Sequence, residues 1–200
     1  MYKEMNRVNF PKYSGIKVNM MPIVFGVHES IPSYLKQYSW IIDQCGFTKG
    51  DIVYLTVHES FVPKNNSQRR GGIHVEAPKL NSWGGGIWGG SSSDKGIYMA
   101  STDGACNVWN EMVEDRDEHG GCNANGTPHK MNPNTLYWMT DKTPHQALSN
   151  DHDSYRQFFR LVSNDISVWY SKHNTKNPTG VVADCEIVGV NKFKEDLCFD

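Results

Sequence analysis

Residues 69–78, RRGGIHVEAP, place a histidine and a glutamate two positions apart. On a β-strand, side chains at i and i+2 point to the same face and lie about 6–7 Å apart. His74 and Glu76 can therefore reach one point in space, where imidazole and carboxylate ligands together suit Fe(II), Mn or Zn. Two histidines with one carboxylate are typical of non-haem iron enzymes. The alternative is a hydrogen-bonded pair on a solvated strand face.

The best candidate for a second histidine is His145, in the segment TDKTPHQALSNDHDSYRQFFRLV (140–162). A hairpin turn centred on Asn150 and Asp151 would set His145 directly across from Arg156, on the same face of the sheet. A guanidinium buried beside a metal needs an anion, and its planar fork suits a carboxylate. The segment therefore predicts a cavity that binds a dicarboxylate between a metal and an arginine.

The ordered set His74-x-Glu76, His145 and Arg156 resembles the H-x-D/E…H…R pattern of the Fe(II)- and 2-oxoglutarate-dependent dioxygenases. The resemblance spans roughly residues 30–175. It implies a double-stranded β-helix core, of the jelly-roll or cupin-like kind, preceded by helical segments. It also implies that His74, Glu76 and His145 hold Fe(II), and that Arg156 binds the distal carboxylate of the cosubstrate 2-oxoglutarate.

Three residues leave this assignment open. Arg160 shares a strand face with Arg156, so either arginine can anchor the cosubstrate, and Arg160 can instead bind an acidic group of the primary substrate. Most members of the family carry Asp where Glu76 stands. Asp141, four residues before His145, is the rival carboxylate.

Patterning elsewhere predicts a mainly β chain with an N-terminal helix packed on it. The segment from Ser30 to Gly46 has a candidate N-cap, helical apolar spacing and a closing glycine. Short runs rich in β-branched and aromatic residues then follow, and each is bounded by turn residues. The predicted strands are DIVYLTVHESFV, GGIHVE, KGIYMAS, NTLYWMT, RQFFRLV and ISVWYSKH.

We expect one domain, because 200 residues with 38% hydrophobic content can bury one sizeable core. It divides into an irregular arm and first strand (1–29), a helix (30–46), a β core (51–175) and a C-terminal extension (176–200). The glycine- and serine-rich loop 81–96 carries Trp83 and Trp88, which favours a lid that contacts the substrate.

Composition limits the classes of partner that we expect this chain to bind. The net charge of −2 gives no field that would gather nucleic acid. The N-terminal residues lack the apolar stretch of a secretory signal, and no segment is long enough to span a membrane, so we expect a cytoplasmic location and no membrane partner. Five scattered cysteines contain no C-x-x-C pair, so we expect them to be reduced. The oligomeric state does not follow from these patterns.

The first functional hypothesis is a mononuclear Fe(II), 2-oxoglutarate-dependent oxygenase that oxidises a small molecule or an amino-acid-like group. The second is a cupin-like metal-dependent isomerase or hydrolase with the same ligands. The third is a non-catalytic β-barrel that binds a ligand or a partner, in which the His-x-Glu pattern is accidental.

Overall fold

Antiparallel β-strands make up most of the ordered structure in the computed structural model, which describes residues 1–77 and 95–189. The helical elements are two 3-10 turns, His28–Ser30 and Ser33–Tyr38, and the short helix α1, Ser39–Asp43. The strands are β1 Tyr2–Arg7, β2 Lys17–Val24, β3 Ile52–Val62, β4 Ile97–Ser101, β5 Cys106–Val108, β6 His129–Lys130, β7 Thr135–Met139, β8 His145–Ala147, β9 Ser154–Val162, β10 Val168–Tyr170 and β11 Glu186–Val188. The predicted mainly β class is confirmed.

Six of the strands form one sheet in the order β1-β7-β4-β9-β3-β2. A smaller sheet has the order β6-β5-β8. His74 extends the smaller sheet by an isolated antiparallel bridge to His145 in β8. The strands β10 and β11 pair in parallel as a separate two-stranded unit.

The predicted hairpin between His145 and Arg156 is wrong. Strand β8 pairs with β5 and bridges to His74, whereas β9 pairs with β3 and β4 in the larger sheet. The connection between β8 and β9 therefore crosses from one sheet to the other. The error arose because consecutive strands joined by a short turn were assumed to be hydrogen-bonded neighbours.

The prediction of an irregular arm over most of residues 1–29 is also wrong. Strand β1 pairs with β7, but it is an edge strand with mostly exposed side chains, so its sequence shows no buried face. Strand β2 lies at the other edge and carries Pro22 and a bulge between Val18 and Met21. Proline is tolerated at a sheet edge, where no ladder hydrogen bond is lost.

The predicted helix over 30–46 is a helical segment broken into 3-10 and α turns. Its apolar face is nevertheless buried, with Leu35, Tyr38 and Ile41 packed against one face of the larger sheet. Tyr34, expected on that face, is exposed. In a 3-10 turn, side chains three residues apart lie above each other, so Leu35 and Tyr38 share the buried face, to which Ile41 of α1 also belongs. Tyr34, which fits this face only with α-helical spacing, therefore points away from the core.

A buried carboxylate joins the helical segment to the sheet. Glu59 on β3 accepts hydrogen bonds from the hydroxyl of Tyr38 (2.6 Å), the backbone amides of Ser14 (2.7 Å) and Ile16 (3.1 Å), and the amide of Gln157 (3.0 Å). Burial raises the pKa of Glu59, but these hydrogen bonds outweigh it and hold the pKa below its ordinary value. The charge is therefore kept, and the role of Glu59 is structural.

None of the helices within residues 1–77 and 95–189 has the length and apolar character that crossing a membrane requires.

Candidate active site

A cavity of about 140 Å³ lies between the two sheets. Alternate residues of β9 line it from the larger sheet, because side chains two apart on a strand share a face: Arg156, Phe158 and Arg160. His145 and the His74–Glu76 segment line it from the smaller sheet. The structure thus brings Arg156 and His145 into one cavity from different sheets, and not through the hairpin register expected from the sequence.

The two histidines face each other across the bridge. His74 and His145 exchange backbone hydrogen bonds of 3.0 Å and 2.9 Å, and their ring centroids are 4.5 Å apart. The Nδ1 of His74 lies 2.9 Å from the carbonyl oxygen of Gly72, and the Nδ1 of His145 lies 3.0 Å from that of Thr143. A carbonyl only accepts, so Nδ1 carries the proton in each ring and Nε2 has the free lone pair that a metal requires.

Burial above all, together with the neighbouring His145 and against the opposing effect of Glu76, lowers the pKa of His74 to about 3. The imidazole is therefore neutral at ordinary pH. Neutral imidazole is the form that binds a metal.

Glu76 is ionised and already has a partner. Its Oε1 lies 2.5 Å from Nη1 of Arg160 and 3.6 Å from Nε2 of His145. Burial raises the pKa of Glu76, but Arg160 and His145 outweigh it and hold the pKa well below its ordinary value. The carboxylate therefore stays charged beside both side chains.

Within residues 1–77 and 95–189, no group of three or more His, Cys, Asp or Glu side chains is arranged to hold a metal ion. The donor chemistry of His74, His145 and Glu76 nevertheless fits one, since the two free Nε2 lone pairs and one anionic oxygen suit a divalent metal. A carboxylate has two oxygens and about four lone-pair sites, so an arginine on Oε1 leaves capacity for a second contact.

Arg156 is almost fully buried, at 2% exposure. Its Nε donates to the hydroxyl of Ser101 at 2.9 Å, while its Nη1 has no hydrogen-bond partner among the described residues. Burial lowers the pKa of Arg156, and Cys106 and Asp103 oppose this. A buried guanidinium without a complete set of acceptors indicates a position for an anionic ligand.

A third arginine adds to the positive charge. The guanidinium of Arg69 lies 4.8 Å from the centre of the Phe158 ring, at the cavity wall. Burial above all, together with Arg160 and Arg156 and against Glu76, lowers the pKa of Arg69 to about 10. Arginines outnumber carboxylates in the lining, with Arg69, Arg70, Arg156 and Arg160 against Glu76 and Asp103, so the cavity favours an anion.

The remaining predicted residues divide into two groups. Trp83 and Trp88, with most of the predicted lid, lie outside the described residues. Asp141, the rival carboxylate, is buried but does not line the cavity, and its backbone carbonyl accepts from the amide of Ala77.

Among the cavity residues that sequence reasoning missed are Arg69, Ser101 and Asn174. Arg69 belongs to an arginine pair, Arg69-Arg70, in the segment that carries the His-x-Glu motif. Its position just before His74 is the one feature that could have placed it at the site. Ser101 and Asn174 belong to segments far from the motif and carry no pattern that singles them out.

Comparisons of the chain with protein-family models, with curated proteins and with solved structures give no match.

Proposed function

We propose that this chain is a mononuclear non-haem Fe(II), 2-oxoglutarate-dependent oxygenase that acts on a small molecule or an amino-acid-like group. One observation carries the proposal. A single cavity has His74, Glu76 and His145 on one wall and, on the opposite wall, the buried Arg156 with an unpartnered Nη1. That combination suits a ligand that chelates a metal at one end and presents a carboxylate at the other.

The strand order supports a double-stranded β-helix. We number the core strands along the chain as β3, the His74 bridge, β4, β5, β6, β7, β8 and β9. The larger sheet then contains the order 1-8-3-6 and the smaller one 2-7-4-5. This order results when one long antiparallel hairpin, pairing 1 with 8, 2 with 7, 3 with 6 and 4 with 5, is rolled into two sheets.

Each cavity residue has a distinct part in the proposed reaction. His74, His145 and Glu76 would hold the iron, and the hydrogen bonds on the two Nδ1 atoms fix the ring orientations. Arg160 would orient Glu76 through their ion pair. Arg156, itself oriented by Ser101, would bind the distal carboxylate of 2-oxoglutarate. The iron and the cosubstrate, when bound, supply the oxidising chemistry, and the two sheets exclude water from it.

The cupin-like alternative keeps the same ligands but has no use for the unpartnered Arg156. A non-catalytic anion-binding barrel is the stronger alternative, because Glu76 is paired with Arg160 at 2.5 Å and the described residues contain no preformed metal group. In that case the cavity binds an anion through its arginines alone.

Metal content and cosubstrate turnover separate these functions. Protein reconstituted anaerobically with Fe(II) should bind close to one equivalent, and His74→Ala and His145→Ala should each abolish this binding. Loaded wild-type protein should convert 2-oxoglutarate to succinate in air. Iron binding without succinate formation would favour the cupin-like enzyme, and full iron binding in both variants would reject the metal site.

A further inference from the structure

Several residues that line the cavity have buried hydrogen-bond donors without a partner. Five buried side-chain polar atoms of the described residues lack a hydrogen-bond partner. Three of them belong to residues that line this cavity, and all three are donors: Arg156 Nη1, Arg160 Nε and Asn174 Nδ2. The other two are acceptors, on Gln68 and Asn150, and lie outside it. Buried donors need acceptors, so the cavity matches a ligand or ligands rich in oxygen atoms.

These donors lie at two separate ends. Arg156 and Arg160 are four residues apart on β9, which corresponds to about 13 Å along a strand. Side chains on a strand stand roughly perpendicular to the sheet, so the two guanidinium groups start from well-separated points. Arg160 is paired with Glu76, whereas Arg156 has no acidic partner among the described residues, so the two donors have different surroundings and can serve different ligands.

Hydrogen bonds connect Arg160 and Asn174 at the second end. Nη2 of Arg160 lies 3.5 Å from the hydroxyl of Thr56, which in turn lies 3.5 Å from Oδ1 of Asn19. The Nδ2 of Asn19 donates to Oδ1 of Asn174 at 2.9 Å. Because Oδ1 accepts from Asn19, the amide of Asn174 is oriented and its Nδ2 is left unpartnered in the cavity wall.

We propose that Arg160 Nε and Asn174 Nδ2 form a second subsite, which binds an oxyanion of the primary substrate, a carboxylate or a phosphate group. As a statement about the substrate, this inference rests on the proposed function. Arg69 supplies the charge, because Arg160 is already compensated by Glu76 and Arg69 forms no ion pair with an acidic side chain in the described ranges. The substrate of the oxygenase is then an acidic small molecule.

Nuclear magnetic resonance tests the subsite on metal-free protein without cosubstrate, so its outcome does not depend on iron binding. Acetate and inorganic phosphate are titrated separately into ¹⁵N-labelled protein. The side-chain signals of Asn174 Nδ2 and Arg160 Nε should shift and saturate with at least one probe. The probe that binds more tightly distinguishes a carboxylate substrate from a phosphate one.

Two variants test the donor itself. Asn174→Asp keeps the Oδ1 acceptor for Asn19 but replaces the donor with an anionic oxygen, so binding followed at Arg160 Nε should weaken about tenfold or more. Asn132→Asp is the matched control. It adds the same charge at the wall of the same cavity, but the Nδ2 of Asn132 already donates to Glu4, so probe binding should persist.

Two further results would overturn the subsite. One is that neither side-chain signal moves, or that Asn174→Asp binds the probe as wild type does. The other is that Arg156→Gln abolishes the probe response, since this would mean that the cavity holds one ligand only. If the metal experiment shows no iron binding, the oxyanion subsite is still supported by the resonance shifts. Only the conclusion that its ligand is the substrate of an oxygenase would then be rejected.

Discussion

The ionisation of His74 and Glu76 is set by neighbours from distant parts of the chain. His74 is neutral because it is buried beside His145, and Glu76 is charged because Arg160 faces it. Among residues 1–77 and 95–189, the side chain of Arg156 donates to the hydroxyl of Ser101, and its Nη1 has no acceptor. The two arginines on β9, equivalent in the sequence, therefore differ in the structure. Arg160 has a carboxylate partner, so Arg156 is the better candidate for the cosubstrate anchor.

Replacement of Arg156 tests this difference. Arg156→Gln should leave iron binding intact and weaken 2-oxoglutarate several hundredfold, since breaking a buried charged pair on one side costs about 3–5 kcal/mol. Arg156→Lys should restore only part of the affinity, because an ammonium group lacks the two-pronged geometry. Calorimetric titration of the Mn(II)-loaded protein measures both.

Arg7→Gln is the control, because Arg7 is an exposed residue of the edge strand β1 and does not line the cavity. If Arg156→Gln keeps its affinity for 2-oxoglutarate and Arg160→Gln loses it, Arg160 is the residue that binds the distal carboxylate.

At the scale of elements, the segment that carries the His-x-Glu motif is held in place by a loop more than by a strand. GGIHVE was predicted as a strand, but only His74 forms a bridge, and Val75 is held by a 2.8 Å hydrogen bond from its amide to the carbonyl of Gly120. Gly120 has a φ of +82°, and a Cβ there would lie 2.4 Å from the carbonyl oxygen of Val75. The loop between β5 and β6, which carries Gly120, therefore positions the site.

Gly120→Ala should lower the free energy of unfolding and weaken iron binding. Its matched control is Gly126→Ala, in the same loop, with a φ of +74° and no atom within 4 Å of the added Cβ. Both variants carry the strain of a left-handed backbone conformation, so the difference isolates the clash. We expect Gly120→Ala to be less stable than Gly126→Ala by roughly 1–3 kcal/mol in urea unfolding. Equal losses would show that the Val75 contact does not constrain the segment.

At the scale of the whole molecule, concentrated positive charge between the sheets links stability to pH. Burial above all, together with Arg69, Lys17 and Arg156, lowers the pKa of His58 on β3 to about 4. His74 behaves in the same way, with a pKa of about 3. In the unfolded chain both histidines titrate near 6.5, so between these values the unfolded state binds more protons.

Stability should therefore be complete above about pH 6.5 and fall as the pH is lowered towards 4, by up to about 1.4 kcal/mol per pH unit for each histidine. His58→Gln should remove one of these contributions and flatten the profile. Urea unfolding at several values between about pH 7.5 and 5 measures the slope while most carboxylates stay ionised. The same slope in both proteins would show that His58 is protonated equally in the folded and unfolded states.

The sequence by itself determined features that depend on local periodicity. Alternation and turn residues predicted the strands that became β3, β4, β7, β9 and β10. The period of two also predicted that Arg156 and Arg160 share a face, as do His74 and Glu76, and all four line one cavity. Strand side chains alternate wherever the strand is placed, so these inferences needed no knowledge of its partners.

Only the tertiary structure decided which strands pair and which charges meet. The short connection after β8 leads to the other sheet, so His145 and Arg156 face each other across the cavity and are not neighbours in a ladder. Glu76 pairs with Arg160, and Arg69 and Asn174 reach the same cavity. Both features depend on contacts between residues far apart in sequence. Backbone hydrogen bonding is nearly independent of side-chain identity, so strand order is set by how all the apolar faces are buried together, which no single segment encodes.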